Sequence, residues 1–393
     1  MRHVVILGCG MAGFHAARQL EKELAGRRRV QLTVISDQAH FVFTPLLATV
    51  AGGELGPDHI VAPIDELLGH RTRVVVDPIV DIDLSDQHLI GQRDRYPFDY
   101  LLIATGGDRD PTAFEGAGDL QAPTRLGDAT QIREFLNDLR RATSFRATIA
   151  GGGLTGVQWA AQLASLQAQG ELPGGTLSLV EAGSRILPHH SAQLAAQADA
   201  QLRQMGVTIH TDAPVESVQP HSDRWDVHLG SRGPLEGQDA VFHCAGRRGH
   251  LPDALAHQLA TDDTRRLNVN KFLMLPSHQA LFAAGDITSR RREWALHSTP
   301  QLAVQQGEWA ARNLLAAMSG RSLRPFQMDT RGDFLHLGPH HTLLEMGDVI
   351  LEGRPAWLAH RIYYTSMMPQ PIQKARLVMD WVARRLTEKS PSS

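Results

Sequence analysis

The stretch Val4-Val5-Ile6-Leu7-Gly8-Cys9-Gly10-Met11-Ala12-Gly13 decides the fold. A short run of β-branched and apolar residues reads as a buried parallel strand. Three glycines follow at the G-x-G-x-x-G spacing, and Phe14 to Leu20 reads as a helix. Gly8 allows the tight turn, Gly10 a close approach by a pyrophosphate, and Gly13 close packing of helix on strand. The helix N-terminus offers free N–H groups and the positive end of its dipole to phosphates, with Met11 and Ala12 in its first turn.

The device recurs. Arg146 to Ala150 is followed by Gly151-Gly152-Gly153-Leu154-Thr155-Gly156 and the helical Val157 to Leu163. Two strand–turn–helix units of this kind organise the chain around two dinucleotides. In the first, the acid that holds a ribose is due at the end of the second strand, Val30 to Ile35. Ser36 stands there with Asp37 one step later, and the ribose contact falls to one or the other. In the second, Leu177 to Val180 is ended by Glu181, placed for a ribose 2′-hydroxyl. A carboxylate there repels a 2′-phosphate, so NADH is expected over NADPH, although Arg185 stands close in sequence. Tyr100 to Ile103 is a further buried strand, ending in Ala104-Thr105-Gly106. Leu281 to Ala284 is another, ending in Gly285-Asp286.

Composition narrows the class. The 393 residues allow two or three domains. With 42% hydrophobic residues and a net charge of −3, the chain is an ordinary globular one with no global signal for nucleic acid. Cys9 and Cys244 are its only cysteines and form no C-x-x-C, which predicts a reducing compartment and no disulfide or metal framework. Arg2 and His3 run directly into the first strand, so no leader is expected. No apolar run approaches the roughly 20 residues that span a bilayer, so membrane contact is expected to be peripheral.

Between these motifs, Phe43-Thr44-Pro45-Leu46-Leu47 and Val50-Ala51-Gly52 form an apolar connection suited to flank a flat ring, and Val74 to Ile90 predicts an antiparallel excursion. Thr299-Pro300-Gln301-Leu302-Ala303-Val304-Gln305-Gln306-Gly307 opens a helix, with Pro300 in its first turn and Gln301 and Gln305 on one face. The C-terminal helix, from about 372 to 386, carries a stripe of Ile372, Ala375, Met379, Val382 and Leu386. A second apolar pair, Leu377 and Trp381, is flanked by Lys374, Arg384 and Arg385. From residue 361 onward six basic residues stand against two acidic ones. The pattern predicts that the stripe docks on the body while the Leu377–Trp381 side meets anionic headgroups.

Taken together, Gly8-x-Gly10-x-x-Gly13, Ala104-Thr105-Gly106, Gly151-x-Gly153-x-x-Gly156 and Ala284-Gly285-Asp286 resemble the two-dinucleotide-binding-domain flavoproteins, the pyridine nucleotide oxidoreductases. The F-T-P-L-L segment, the Gln301–Gln306 segment and Gly353-Arg354-Pro355-Ala356-Trp357 are similar to the type II NADH:quinone oxidoreductases among them. The resemblance implies an α/β fold of two Rossmann-like domains. The implied layout is an FAD domain over 1–110 and 248–325, an NADH domain inserted over 111–247, and a C-terminal region over 326–393. It implies non-covalent FAD at Gly8, Gly10, Met11, Ala12, Gly13, Ser36 or Asp37, Thr44, Pro45, Ala104, Thr105, Gly106, Gly285, Asp286 and Ala303. NADH falls to Gly151, Gly153, Leu154, Thr155, Gly156, Glu181 and Gly246, with Gln158 beside the nicotinamide, where the family usually has glutamate. A quinone is implied at Gln301, Gln305 and Gln306. The implied place is the cytoplasmic face of the cell membrane, with room for a homodimer and with no metal or nucleic acid. The lack of C-x-x-C excludes the disulfide-reductase branch, and Cys9 and Cys244 stand where the cysteines of sulfide:quinone reductases do not. A reductase of a soluble acceptor such as ferredoxin, or a flavin-binding redox sensor, is the alternative.

Overall fold

A computed structural model describes residues 1–26, 29–289, 299–329, 332–338 and 341–387. The chain divides into two units. One comprises Met1–Phe43, Val61–Asp108 and Arg247–Asp329; the other comprises Thr44–Ile60, Arg109–Gly246 and Thr330–Ser393.

In the first unit five strands form a sheet in the order Leu281–Ala283, Tyr100–Ile103, Arg2–Leu7, Val30–Ser36 and Thr72–Val76. Every pairing is parallel. The central strand is buried over Val4 to Leu7, as its uninterrupted apolar run requires. The helices Met11–Leu24 and Pro300–Met318 pack on each other. Gly307 permits that contact, because a Cβ there would land on the carbonyl oxygen of Ala12. Thr299 caps the second helix by accepting from the Leu302 N–H at 3.3 Å. The antiparallel excursion runs over Ile79–Asp83, His88–Gly91 and Arg95–Pro97. It starts later than its β-branched run suggests, because Thr72–Val76 joins the parallel sheet instead.

The second unit holds a parallel sheet in the order Val207–His210, Leu177–Val180, Ala147–Ala150, Ala240–His243. Thr44–Ile60 groups with this unit because its helix Leu47–Ala51 packs on the helices Leu126–Leu139 and Leu154–Ala168. The C-terminal part adds antiparallel strands Asp333–His336, Thr342–Met346 and Val349–Glu352. Helices Arg354–Met367 and Pro371–Thr387 follow.

The C-terminal helix turns the opposite way from its sequence expectation. Leu377 is 0% exposed, whereas Ile372 and Met379 are 54% and 60% exposed. Trp381 is half-buried under the Arg361 guanidinium, 4.6 Å from the ring centroid, and Arg361 also lies 3.6 Å from that of Trp357. Lys374 donates to the Ser366 carbonyl at 3.0 Å. Two tryptophans sharing one cation fix which side faces inward. The side chains of Arg384 and Arg385 lie outside the described residues.

The two glycine turns are superimposable in kind. Gly8 and Gly151 have φ of +95° and +112°, a region that favours glycine. A Cβ on Gly13 would land on the carbonyl oxygen of Gly8, and one on Gly156 on that of Gly151. Gly13→Ala and Gly156→Ala should therefore each destabilise the fold by about 1–3 kcal/mol, read as a lower urea midpoint. An unchanged midpoint for both would contradict this packing.

Candidate functional site

The first glycine turn is held by its neighbours. The Gly8 N–H donates to the Ile35 carbonyl at 2.7 Å, and the Ala104 N–H donates to the Leu7 carbonyl at 2.7 Å. Gly8 and Gly13 are filled by protein, but a Cβ on Gly10 would meet no atom within 4 Å. Gly10 opens the helix as its N-cap without a side-chain acceptor, so the first-turn N–H groups lack that partner. Met11 and Ala12 are buried behind the turn.

The other predicted contacts of the first unit arrive from separate strands. Gly106 has φ +76° and nothing within 4 Å of a Cβ, and beside it the Thr105 Oγ1 is buried without a partner. Gly285, at φ +84°, stands where a Cβ would lie 3.0 Å from that of Ala12 and 3.8 Å from that of Ala303. Asp286 is paired with Arg247 at 3.0 Å, and Arg247 also donates to the Gly107 carbonyl at 3.1 Å. Ser36 ends its strand buried and accepts from the Gln38 N–H at 3.3 Å, while Asp37 is exposed past the strand end. An open cradle at Gly10, a buried hydroxyl without a partner at Thr105 and a carboxylate at the strand end fit a dinucleotide with a polyhydroxyl chain. Thr44 and Pro45 fall in the second unit.

The glutamines separate into three roles. Gln306 is 1% exposed, and its Oε1 accepts from the Gly285 N–H at 2.8 Å, so its oxygen holds the Gly285 turn. The Gln305 amide is closed on the Asp329 backbone by two bonds of 2.8 Å. Gln301 is buried, and neither its Oε1 nor its Nε2 has a partner among the described residues. A buried amide without partners is costly unless a ligand completes it. Of the three expected quinone contacts, Gln301 is the one whose amide has no partner at either end among the described residues.

In the second unit Gly153 repeats the open position of Gly10, with no atom within 4 Å of a Cβ. Leu154 and Thr155 start the helix beyond it, half-buried. The Glu181 carboxylate accepts from the Gly152 N–H and the Gly183 N–H, each at 2.8 Å. Its oxygens retain lone pairs for a ribose hydroxyl. Arg185 donates to the carbonyls of Leu187, Pro188 and His190 at 2.9, 3.0 and 2.9 Å, so its guanidinium is committed to its own loop. Gly246, at φ +63°, accepts from the Asp110 N–H at 3.1 Å.

Gln158 lines a recess in this unit together with Pro45, Leu46, Thr49, Gln162, His336 and His360. Gln162 donates to Glu54 at 2.8 Å. Sequence reasoning missed both histidines. Neither falls in a recognisable motif, and their strand and helix come together only in three dimensions. Burial pushes the Cys9 and Cys244 thiols up to about 12, which keeps both protonated and unreactive near neutrality. Among the described residues no cluster of three metal-binding side chains occurs.

A sequence model of the pyridine nucleotide-disulphide oxidoreductase family matches residues 2–307. The type II NADH:quinone oxidoreductase Ndh of Mycobacterium tuberculosis is 25% identical over 421 aligned residues, covering 99% of this chain and 89% of that protein. The demethylphylloquinone reductase NdbB of a Synechocystis species is 27% identical, covering 98% and 96%. The fold matches that of NDH2 from Plasmodium falciparum in complex with NADH, with a TM-score of 0.80 over 98% of each chain at 15% identity. It also matches the sulfide:quinone oxidoreductase of Aquifex aeolicus, with a TM-score of 0.80 at 16% identity, covering 93% of this chain and 90% of that one.

The open position at Gly10 separates binding from folding. Gly10→Val should leave the unfolding midpoint of the flavin-free protein within about 0.5 kcal/mol of wild type and abolish flavin retention through purification. Retained yellow colour at full occupancy would remove the first turn from the cofactor site.

Proposed function

The chain belongs to the pyridine nucleotide-disulphide oxidoreductase family, and from that premise we propose that it is an FAD-dependent, non-proton-pumping NADH:quinone oxidoreductase. Gln301 carries this reading: a buried amide without a partner at either end among the described residues, on the helix that packs beside the Gly285 turn. The residues about Gly10, Thr105 and Gly285 would hold FAD, which would supply hydride acceptance from NADH and onward two-electron transfer. The cradles at Gly10 and Gly153 hold the two pyrophosphates against helix N-termini. Glu181 holds the adenosine ribose of NADH and repels a 2′-phosphate, and the commitment of Arg185 leaves that preference unopposed. Gln301 offers its Nε2 donors to a quinone oxygen without adding charge.

The relatives support a lipid-soluble acceptor, and the C-terminal part supplies a surface to reach one. Among the described residues no helix is long and apolar enough to cross a membrane. Exposed large apolar side chains gather instead on the last hairpin and two helices: Met346, Val349, Leu351, Leu358, Ile362, Ile372, Val378 and Met379. With Lys374 and the exposed Arg376, this surface suits the headgroup boundary of an anionic leaflet. On this reading the membrane lies on the side opposite Leu377. We place the protein on the cytoplasmic face of the cell membrane.

Stopped flow tests the acceptor site. Gln301→Leu should slow reoxidation by a short-chain quinone about tenfold or more and leave reduction by NADH at the wild-type rate. Gln305→Leu should leave both half-reactions intact and lower stability by about 1 kcal/mol. Equal loss of quinone turnover in both variants would restore Gln305 to the site.

Vesicle co-sedimentation tests the surface. Ile372→Ser with Met379→Ser should release the protein from anionic vesicles, while Leu377→Ser should lower its melting temperature. Release only by the Leu377 variant, at unchanged stability, would reverse the assignment of faces.

A further inference from the structure

Asp286 stands just past the end of the strand Leu281–Ala283, and its charge and its acceptors meet different fates. The Arg247 Nη2 lies 3.0 Å from the Asp286 Oδ2, which makes an ion pair. The hydrogen bond from that nitrogen goes elsewhere, to the Gly107 carbonyl at 3.1 Å. Among the described residues the Asp286 carboxylate accepts no hydrogen bond, so its oxygens keep their lone pairs. Its side chain is 24% exposed, which leaves those lone pairs within reach of a ligand.

Four separate segments of the first unit build this corner. Gly107 lies close against Asp286: a Cβ there would stand 3.2 Å from that of Asp286 and 3.0 Å from the Arg248 carbonyl oxygen. Arg266, itself buried, donates to the Arg247 carbonyl at 3.2 Å and fixes the backbone from which Arg247 projects. The Arg247 Nε is buried without a partner among the described residues. A guanidinium that leaves a buried donor unmet is not held by a full set of hydrogen bonds; the charge of Asp286 holds it. The Thr105 hydroxyl and the open position at Gly106 belong to the same end of the sheet, because the strand before them pairs with the strand before Asp286.

Resting on the flavin reading above, we propose that Arg247 is the positioning residue for the flavin's polyhydroxyl chain: it cancels the charge of Asp286 and leaves the carboxylate's acceptors for neutral hydroxyls. A lone carboxylate here would cost free energy when a ligand covered it, and it would repel the diphosphate of a dinucleotide. A carboxylate saturated by hydrogen bonds from its own arginine would be neutralised but unable to accept from a ligand. The observed pair avoids both outcomes, with the charge met and the acceptors unspent. The arrangement therefore recognises a chain of hydroxyls. A flat ring that lacks such a chain gains nothing from Asp286 and so nothing from Arg247.

Full-length protein depleted of flavin is titrated with FAD, and riboflavin and lumiflavin compete for the site. These two carry the same ring with and without the hydroxyl chain. Arg247→Met and Arg247→Gln both remove the charge, and the glutamine keeps a donor for Gly107. Each should weaken FAD and riboflavin about tenfold or more and lumiflavin by less than about twofold. Arg247→Lys restores the charge and should bind riboflavin within about threefold of wild type. On an Asp286→Asn background, Arg247→Met should weaken riboflavin by less than about twofold further, since Arg247 acts through Asp286. Melting temperatures without flavin report which variants are folded. Should Arg247→Met not fold, Arg247→Gln and the wild-type preference for riboflavin over lumiflavin decide. The proposal is overturned if a folded charge-free variant binds riboflavin as wild type does, or if lumiflavin weakens as much as riboflavin. Wild-type protein that binds riboflavin no better than lumiflavin overturns it as well. Wild-type protein that binds none of the three flavins would strike the flavin reading itself, and the proposal with it.

Discussion

The structure depends on one close approach made twice: a helix start pressed against the carbonyl oxygen of the turn that feeds it. Gly13 meets Gly8 and Gly156 meets Gly151 with no room for a Cβ. That contact brings the helix N-terminus up to the strand end. It thereby sets the height at which first-turn N–H groups stand over the open positions at Gly10 and Gly153. The same sequence device thus does opposite things at neighbouring glycines, filling space at two and leaving it clear at the middle one. Burial of the central strands follows, because a parallel sheet covered by helices can carry the apolar runs Val4–Leu7 and Ala147–Ala150.

Both parallel sheets were legible in the sequence because their signal is local: apolar run, glycine spacing, helix. The Glu181 position was legible for the same reason. What was not legible depends on contacts distant in sequence. Gln305 and Gln306 look equivalent to Gln301 on a helical wheel. Asp329 and Gly285, 24 and 21 positions away, claim two of the three amides. The faces of the C-terminal helix failed similarly. Heptad-like spacing identified a stripe, but an amphipathic helix with two apolar sides does not say which is inside. Arg361, inserted between Trp357 and Trp381, settles that in the fold. The pairing of His336 with His360 joins a strand to a helix across an intervening hairpin and carries no sequence pattern at all.

The unpartnered groups share a chemistry. Thr105 Oγ1 and both ends of the Gln301 amide are neutral, buried and able to hydrogen-bond. A charged side chain at such positions would either carry a large desolvation cost or require a permanent counter-ion. Neutral donors and acceptors avoid both and still recognise hydroxyls, carbonyls and amides. Gln158, half-buried, is also an amide, and gives its recess hydrogen-bonding capacity without an anion. A carboxylate in its place would favour protonation of His336 and His360. The glutamine and the two neutral imidazoles are thus one arrangement. With no carboxylate among the described residues that line the recess, burial and the Arg361 charge keep both imidazoles neutral.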